Sequence, residues 1–171
     1  DNLWSYFLSA YSRVDGKVVK GAPKRVFEED RGAIALSDGS ALAYVDNRPV
    51  KMSGPALMRS GTLFPKGYMY VPADFAAEAL GAKISYTHGG LSAEFELGGH
   101  KLQCAAGVRA CVLDEGIRYM PLCLNVDRRL YVPLGEVAAY LCGMNCYDRA
   151  GATYITHSEG VLTYDMAYII N

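Results

Sequence analysis

One self-match constrains this chain more than any other feature. The segment from Tyr70 to Tyr86 realigns on the segment from Tyr131 to Tyr147 at a constant offset of 61 residues. Each copy reads Tyr-Val-Pro, then an apolar stretch, a glycine and a polar run ending in tyrosine. Proline has no backbone N–H to leave unpaired in the first turn of a helix, so a helix is predicted to start at Pro72 and again at Pro133. Ala73, Ala76, Ala77 and Leu80 in one copy, and Leu134, Val137, Ala138 and Leu141 in the other, recur at i, i+3, i+4 and i+7. That spacing puts one apolar stripe on each helix, to be laid on a sheet. Gly81 and Gly143 stand where each helix must stop, with a left-handed residue as the exit. Gly90 and Gly151 keep the same offset of 61 and mark the next turn.

The rest of the chain has the rhythm of short antiparallel strands. Asp15-Gly16, Ser37 to Ser40, Asp46 to Pro49, Gly98-Gly99, Asp114 to Gly116 and Ser158 to Gly160 are turn signals. Between them, runs such as Gly32 to Leu36, Ala41 to Val45, Leu91 to Leu97, Ile117 to Met120 and Val161 to Tyr164 are strand candidates. Several alternate apolar with polar residues, the period of a half-buried strand. Phe95 to Leu97, Gly98-Gly99 and His100 to Leu102 make the clearest hairpin. The opening stretch, Leu3 to Tyr11, is apolar on more than one face and suits either a short buried helix or a docked strand. Between Met52 and Tyr70 the first copy is seven positions longer than its counterpart, which predicts an extended loop near Ser53 to Lys66. The expected fold class is α+β: a duplicated small antiparallel meander with one helix per repeat, completed by a C-terminal strand around Val161 to Ile170.

Charge and composition remove several functions. With 17 Lys+Arg against 18 Asp+Glu, the chain lacks the basic footprint that nucleic acid or an anionic membrane demands. No stretch approaches the roughly 20 unbroken apolar residues of a membrane helix, so no membrane insertion is expected. The five cysteines, Cys104, Cys111, Cys123, Cys142 and Cys146, are an odd number without Cys-x-x-Cys spacing. They read as small buried hydrophobes on strands, with Cys104–Cys111 or Cys142–Cys146 pairing open only where geometry allows. His88, His100 and His157 are scattered, without a His-x-His pair, and read as surface residues rather than copper ligands. No Gly-x-Ser-x-Gly elbow and no phosphate-binding glycine loop is present, and Glu28 to Asp30 reads as a solvated turn. Neither a catalytic constellation nor a cofactor is expected.

What remains is an aromatic surplus of 13 Tyr, 5 Phe and one Trp. Exposed Tyr and Trp faces stack on sugar rings and hydrogen-bond through their polar tips, but strands also bury tyrosines. The duplication assigns Tyr70, Tyr86, Tyr131 and Tyr147 to packing. Trp4, Tyr6, Tyr11, Tyr68 and Tyr119 escape that logic and are the candidate ligand-binding residues.

In order, Val45-Asp46-Asn47, Val71-Pro72, Leu80-Gly81-Ala82 and Ile84-Ser85-Tyr86 form one motif series. Asp114-Glu115-Gly116, Val132-Pro133, Leu141-Cys142-Gly143 and Asn145-Cys146-Tyr147-Asp148 form a second. This ordered set, from about Gly32 to His157, resembles the copper amine oxidase N-terminal-like domain, or stalk domain, of secreted Gram-positive bacterial proteins, in two tandem copies. The chain departs from that pattern where Asp74 and Gly135 replace an arginine and where Tyr86 and Tyr147 replace a tryptophan. The resemblance implies an N-terminal extension (1–31), a first stalk-like repeat (32–104) and a second with the C-terminal strand (105–171). It also implies an extracellular or cell-surface location, and no oxidase chemistry in these residues, because the metal and tyrosine-derived cofactor of true amine oxidases belong to a separate catalytic domain. The expected function is a non-catalytic anchoring or targeting module whose partner is a polysaccharide, a cell-wall component or a protein, including a neighbouring domain. The alternatives are an accessory domain of a polysaccharide-degrading enzyme and a metal or small-ligand binder.

Overall fold

A computed structural model describes residues 32–46, 48–61, 64–149 and 151–157, together with the backbone of two short strands near the N-terminus. In chain order the elements are β1 (Arg13–Val14), β2 (Lys17–Val18), β3 (Ile34–Ser37), β4 (Leu42–Val45), β5 (Arg48–Lys51), β6 (Leu57–Gly61) and β7 (Phe64–Pro72). Helix α1 (Ala73–Leu80) follows, then β8 (Lys83–Thr87), β9 (Ser92–Leu97), β10 (His100–Ala105), β11 (Ala110–Leu113) and β12 (Gly116–Tyr119). Next come β13 (Leu124–Val126), β14 (Arg129–Pro133), helix α2 (Leu134–Cys142), β15 (Asn145–Arg149) and β16 (Ala152–Thr156).

The architecture is mainly β, and this corrects the α+β expectation of two meanders with one helix each. Strands from both halves of the sequence are pooled in common sheets, ordered β12-β11-β10-β9-β8, β13-β14-β7-β6 and β15-β16-β3-β4-β5, beside the β1-β2 pair. The late strand β16 pairs with the early strand β3, and β14 pairs with β7 so that Val132 lies opposite Val71. Each half alone would leave sheet edges unpaired, and cross-pairing satisfies them. The two helices among the described residues, of eight and nine residues, are too short to persist alone and are held by packing. They touch one another; α1 also meets β7, β8 and β14, and α2 meets β7, β10, β14 and β15.

Local expectations at the helices are met to within a residue. Each helix begins one position after its proline, Pro72 and Pro133 being the last residues of β7 and β14. Gly81 (φ 72°) and Gly143 (φ 64°) are left-handed C-caps whose N–H groups close the last turns. On α2 the forecast stripe of Leu134, Val137, Ala138 and Leu141 is buried; on α1 it is Ala73, Phe75, Ala76 and Ala77, with Leu80 only half-buried. Burying side chains of this size contributes roughly 1.5–3 kcal/mol each for Phe, Leu and Val. Val71, Val132, Phe95, Leu102 and Ile155 complete one continuous core with them. Tyr70 and Tyr131 are buried as expected, the Tyr70 hydroxyl donating to the Leu122 carbonyl at 2.5 Å.

Two other expectations turn out differently. The segment near Ser53 to Lys66 is not an extended loop, because Leu57–Gly61 and the start of β7 form a hairpin with a register shift between Arg59 and Gly61. Its extra residues lengthen a ladder whose backbone groups would otherwise need water. Tyr86, assigned to packing, is 45% exposed. The strand forecast at Val161 to Ile170 lies outside the described residues, as do Trp4, Tyr6 and Tyr11.

Candidate functional site: the outer face of a five-stranded sheet

Strands β8 to β12 form an uninterrupted meander, and their residues alternate between two faces. Ala93, Phe95, Leu102, Cys104 and Cys111 point into the core. The polar half of the same alternation is presented outward. Pairing registers place Ser85, Glu94, Gln103, Val112 and Ile117 in a single row across all five strands. The Gly98-Gly99 turn (φ 58° and 83°) sets this register, with Leu97 opposite His100, as the hairpin expectation required.

This face is indented. A hollow of about 480 Å³ is lined by polar Ser85, Thr87, Glu94 and Gln103 and by apolar Ala110 and Val112, among others. A second hollow, of about 520 Å³, shares Glu94, Gln103 and Val112 with it and extends to Lys101, Asp114 and Glu115. The Gln103 amide donates to Glu94 Oε2 at 2.6 Å, and Lys101 Nζ lies 3.6 Å from Glu94 Oε1. Asp114 receives the Lys101 N–H at 2.9 Å and lies 2.6 Å from His100 Nδ1. The hydrogen bond from Gln103, aided by Lys101, holds Glu94 below the usual carboxylate range, and the bonds from His100 and Lys101 do the same for Asp114. Both groups are therefore acceptors at neutral pH. A glycosidase acid needs the opposite environment, one that keeps its proton. The face offers hydroxyls, an amide and fixed carboxylates, which bind polar ligands without transferring protons to them.

The edge strand β12 flanks the groove. Tyr119 is 72% and Ile117 65% exposed, the two most exposed large apolar side chains among the described residues. They pair with Ala110 and Val112, which line the hollow. The Tyr140 hydroxyl donates to the Tyr119 carbonyl at 2.7 Å, tying the edge strand to α2. Of the candidate aromatics, Tyr119 is thus beside the groove. Tyr68 is half-buried on β7 in another sheet, and the structure does not bring it to Tyr119. Sequence reasoning passed over Ser85, Glu94 and Gln103. The available signal was the polar half of the alternation in Leu91 to Leu97 and His100 to Cys104.

All five cysteines are free. Cys104, Cys111 and Cys123 are buried behind the groove, the neighbouring Cys104 together with burial raising the pKa of the Cys123 thiol, whereas Cys142 is half-buried on α2 and Cys146 exposed on β15, unlike the buried strand residues expected. His88 bonds Thr87 at 3.2 Å, His100 pairs with Asp114 and His157 is exposed. Among the described residues no three His, Cys, Asp or Glu side chains are grouped to hold a metal ion.

No curated protein and no solved structure matches this chain. Residues 18–87 match the model of the copper amine oxidase N-terminal domain, over about two-fifths of the sequence. The match includes the first Val-Pro strand, α1 and the strand that ends in Tyr86 and Thr87. A copper amine oxidase N-terminal domain is a non-catalytic accessory module in larger proteins, and residues 18–87 of this chain are similar to that module.

Proposed function

We propose that this chain is a non-catalytic polysaccharide-binding module that targets or anchors a larger extracellular or cell-surface protein. The observation that carries the reading is the indented outer face of β8 to β12, lined in part by hydroxyls and an amide, with Tyr119 standing exposed on its edge strand. Sugar rings present one apolar face and a girdle of hydroxyls; an aromatic ring stacks on the first, and Glu94, Gln103, Ser85 and Thr87 bond the second. The match of residues 18–87 to an accessory module supports a binding role over a catalytic one.

The test is a pull-down on insoluble polysaccharides and cell-wall fractions together with a glycan array, using the chain and its Tyr119→Ala and Gln103→Ala variants. Saturable binding weakened about tenfold in each variant is expected, because one stacked ring or one satisfied amide contributes on the order of 1–1.5 kcal/mol. Retention on no glycan, or undiminished retention of both variants, would refute the assignment of this face.

A further inference from the structure

A third hollow, of about 520 Å³, lies away from the outer sheet face and is lined by Ser53, Asp74, Tyr86, Arg128, Arg129 and Leu130 together with Gly90. Four segments distant in sequence converge there: the loop before β6, the first turn of α1, the end of β8 and the β13–β14 turn. The framework is tied internally. Ser53 Oγ lies 3.0 Å from Asp74 Oδ1, and Arg129 Nη1 donates to the Ser53 carbonyl. Gly54 lacks a side chain where any Cβ would overlap the Tyr131 hydroxyl, which keeps this loop close against β14.

Two features of the hollow serve no purpose in that framework. Arg128 occupies a left-handed position (φ 64°) beside Asp127 (φ 50°) in a two-residue turn, where glycine is the unstrained choice. Its backbone N–H bonds Asn125 Oδ1 at 3.0 Å, while its guanidinium has no protein partner among the described residues. Tyr86 is 45% exposed at the same hollow, and burial of its hydroxyl end beside Asp74 raises its pKa, so it remains a neutral phenol and hydrogen-bond donor.

We infer that this hollow binds a carboxylate-bearing sugar unit, a uronic acid residue of a polysaccharide. Arg128 grips the carboxylate through its planar fork, Tyr86 covers the apolar face of the ring, and Asp74 with Ser53 takes the hydroxyls. A monoanion fits better than a phosphate dianion because Asp74 already places one negative charge in the hollow. The inference rests on the polysaccharide reading for the sugar ring, but its residues are separate from the groove beside Tyr119.

The experiment is affinity electrophoresis and titration with polygalacturonate, with a neutral galactan as reference, on the full chain and its Tyr119→Ala, Arg128→Gly, Tyr86→Ala and Tyr86→Phe variants. Arg128→Gly removes the guanidinium while relieving the turn, so its melting temperature stays at or above that of the parent. Expected are a preference of the parent and of Tyr119→Ala for polygalacturonate, and a loss of about tenfold or more in Arg128→Gly and Tyr86→Ala. Tyr86→Phe keeps most of the affinity, and binding to the neutral galactan does not change in Arg128→Gly. Equal binding of the acidic and neutral polymers by the parent would overturn the inference. So would undiminished binding by Arg128→Gly, or loss of polygalacturonate binding in Tyr119→Ala, which would move the acidic polymer to the sheet face and leave the first reading standing.

Discussion

Gly135, the second residue of α2, offers the sharpest energetic test of the fold. Helix propensity alone makes Gly135→Ala stabilising, by up to about 1 kcal/mol. The packing says otherwise: a Cβ built at Gly135 lies 2.7 Å from Cys146 Sγ and 3.0 Å from Cys146 Cβ on the adjacent strand β15. Ordinary non-bonded contacts between such atoms begin near ~3.5 Å. Neither side yields easily, because α2 is anchored by buried Leu134, Val137 and Ala138, and β15 is laddered to β16 over five residue pairs. Overpacking of this kind costs about 1–3 kcal/mol, so a net destabilisation on the order of 1 kcal/mol is expected. In a Cys146→Ala background the nearer atom is gone while the contact with the Cβ at 3.0 Å remains, so the same substitution costs clearly less. The coupling in a double-mutant cycle is then about 1–2 kcal/mol. Urea denaturation of the parent, both single variants and the double variant, analysed at a common m-value, measures it. A Gly135→Ala effect that is the same in both backgrounds would mean that Cys146 does not crowd this position. The contact also explains why glycine stands where the resembling family carries arginine.

Three further outcomes are expected. Glu115 sits at φ 69° in the Asp114-Glu115 turn, so Glu115→Gly raises thermal stability by roughly 1 kcal/mol in a melting experiment; a lower melting temperature would contradict the strain argument. Burial, and then Asp148, hold Glu136 above its ordinary pKa, so its ionised form opposes folding and stability is lost as pH rises through the raised value. Glu136→Gln is therefore more stable than the parent at pH 7 in urea titrations, the advantage disappearing below about pH 4, where the residue is protonated in both states. Cys104, Cys111 and Cys123 are buried, whereas Cys142 is half-buried and Cys146 exposed, so a disulfide reagent leaves the first three unreacted in the native chain and finds all five in the unfolded one. More than two rapidly titrating equivalents in the native state would contradict the burial of Cys104, Cys111 and Cys123.

Local structure was legible because its causes are local. Proline ending a strand and opening a helix, glycine at the left-handed exit, and the apolar stripe of α2 all follow from backbone sterics and a period of 3.6 residues. The β9–β10 hairpin was legible because Gly98-Gly99 accepts the positive φ values of a tight turn. The candidate site was half legible. Tyr119 was named because the duplication gave it no packing role, whereas Glu94, Gln103 and Ser85 emerge as a row only when the strand registers are known.

The two strand–proline–helix–glycine segments and the β9–β10 hairpin were therefore set by the sequence alone, since each depends on residues within a few positions of one another. How the strands distribute among sheets was set by long-range packing: β3 against β16, β7 against β14, and the inserted residues as a hairpin. That packing also decided that Tyr86 faces solvent beside Arg128, despite occupying the position equivalent to half-buried Tyr147. Pairing partners are chosen by which apolar faces and unpaired edges can be closed together. That choice depends on segments more than a hundred residues apart in the case of β3 and β16, and no local pattern encodes it.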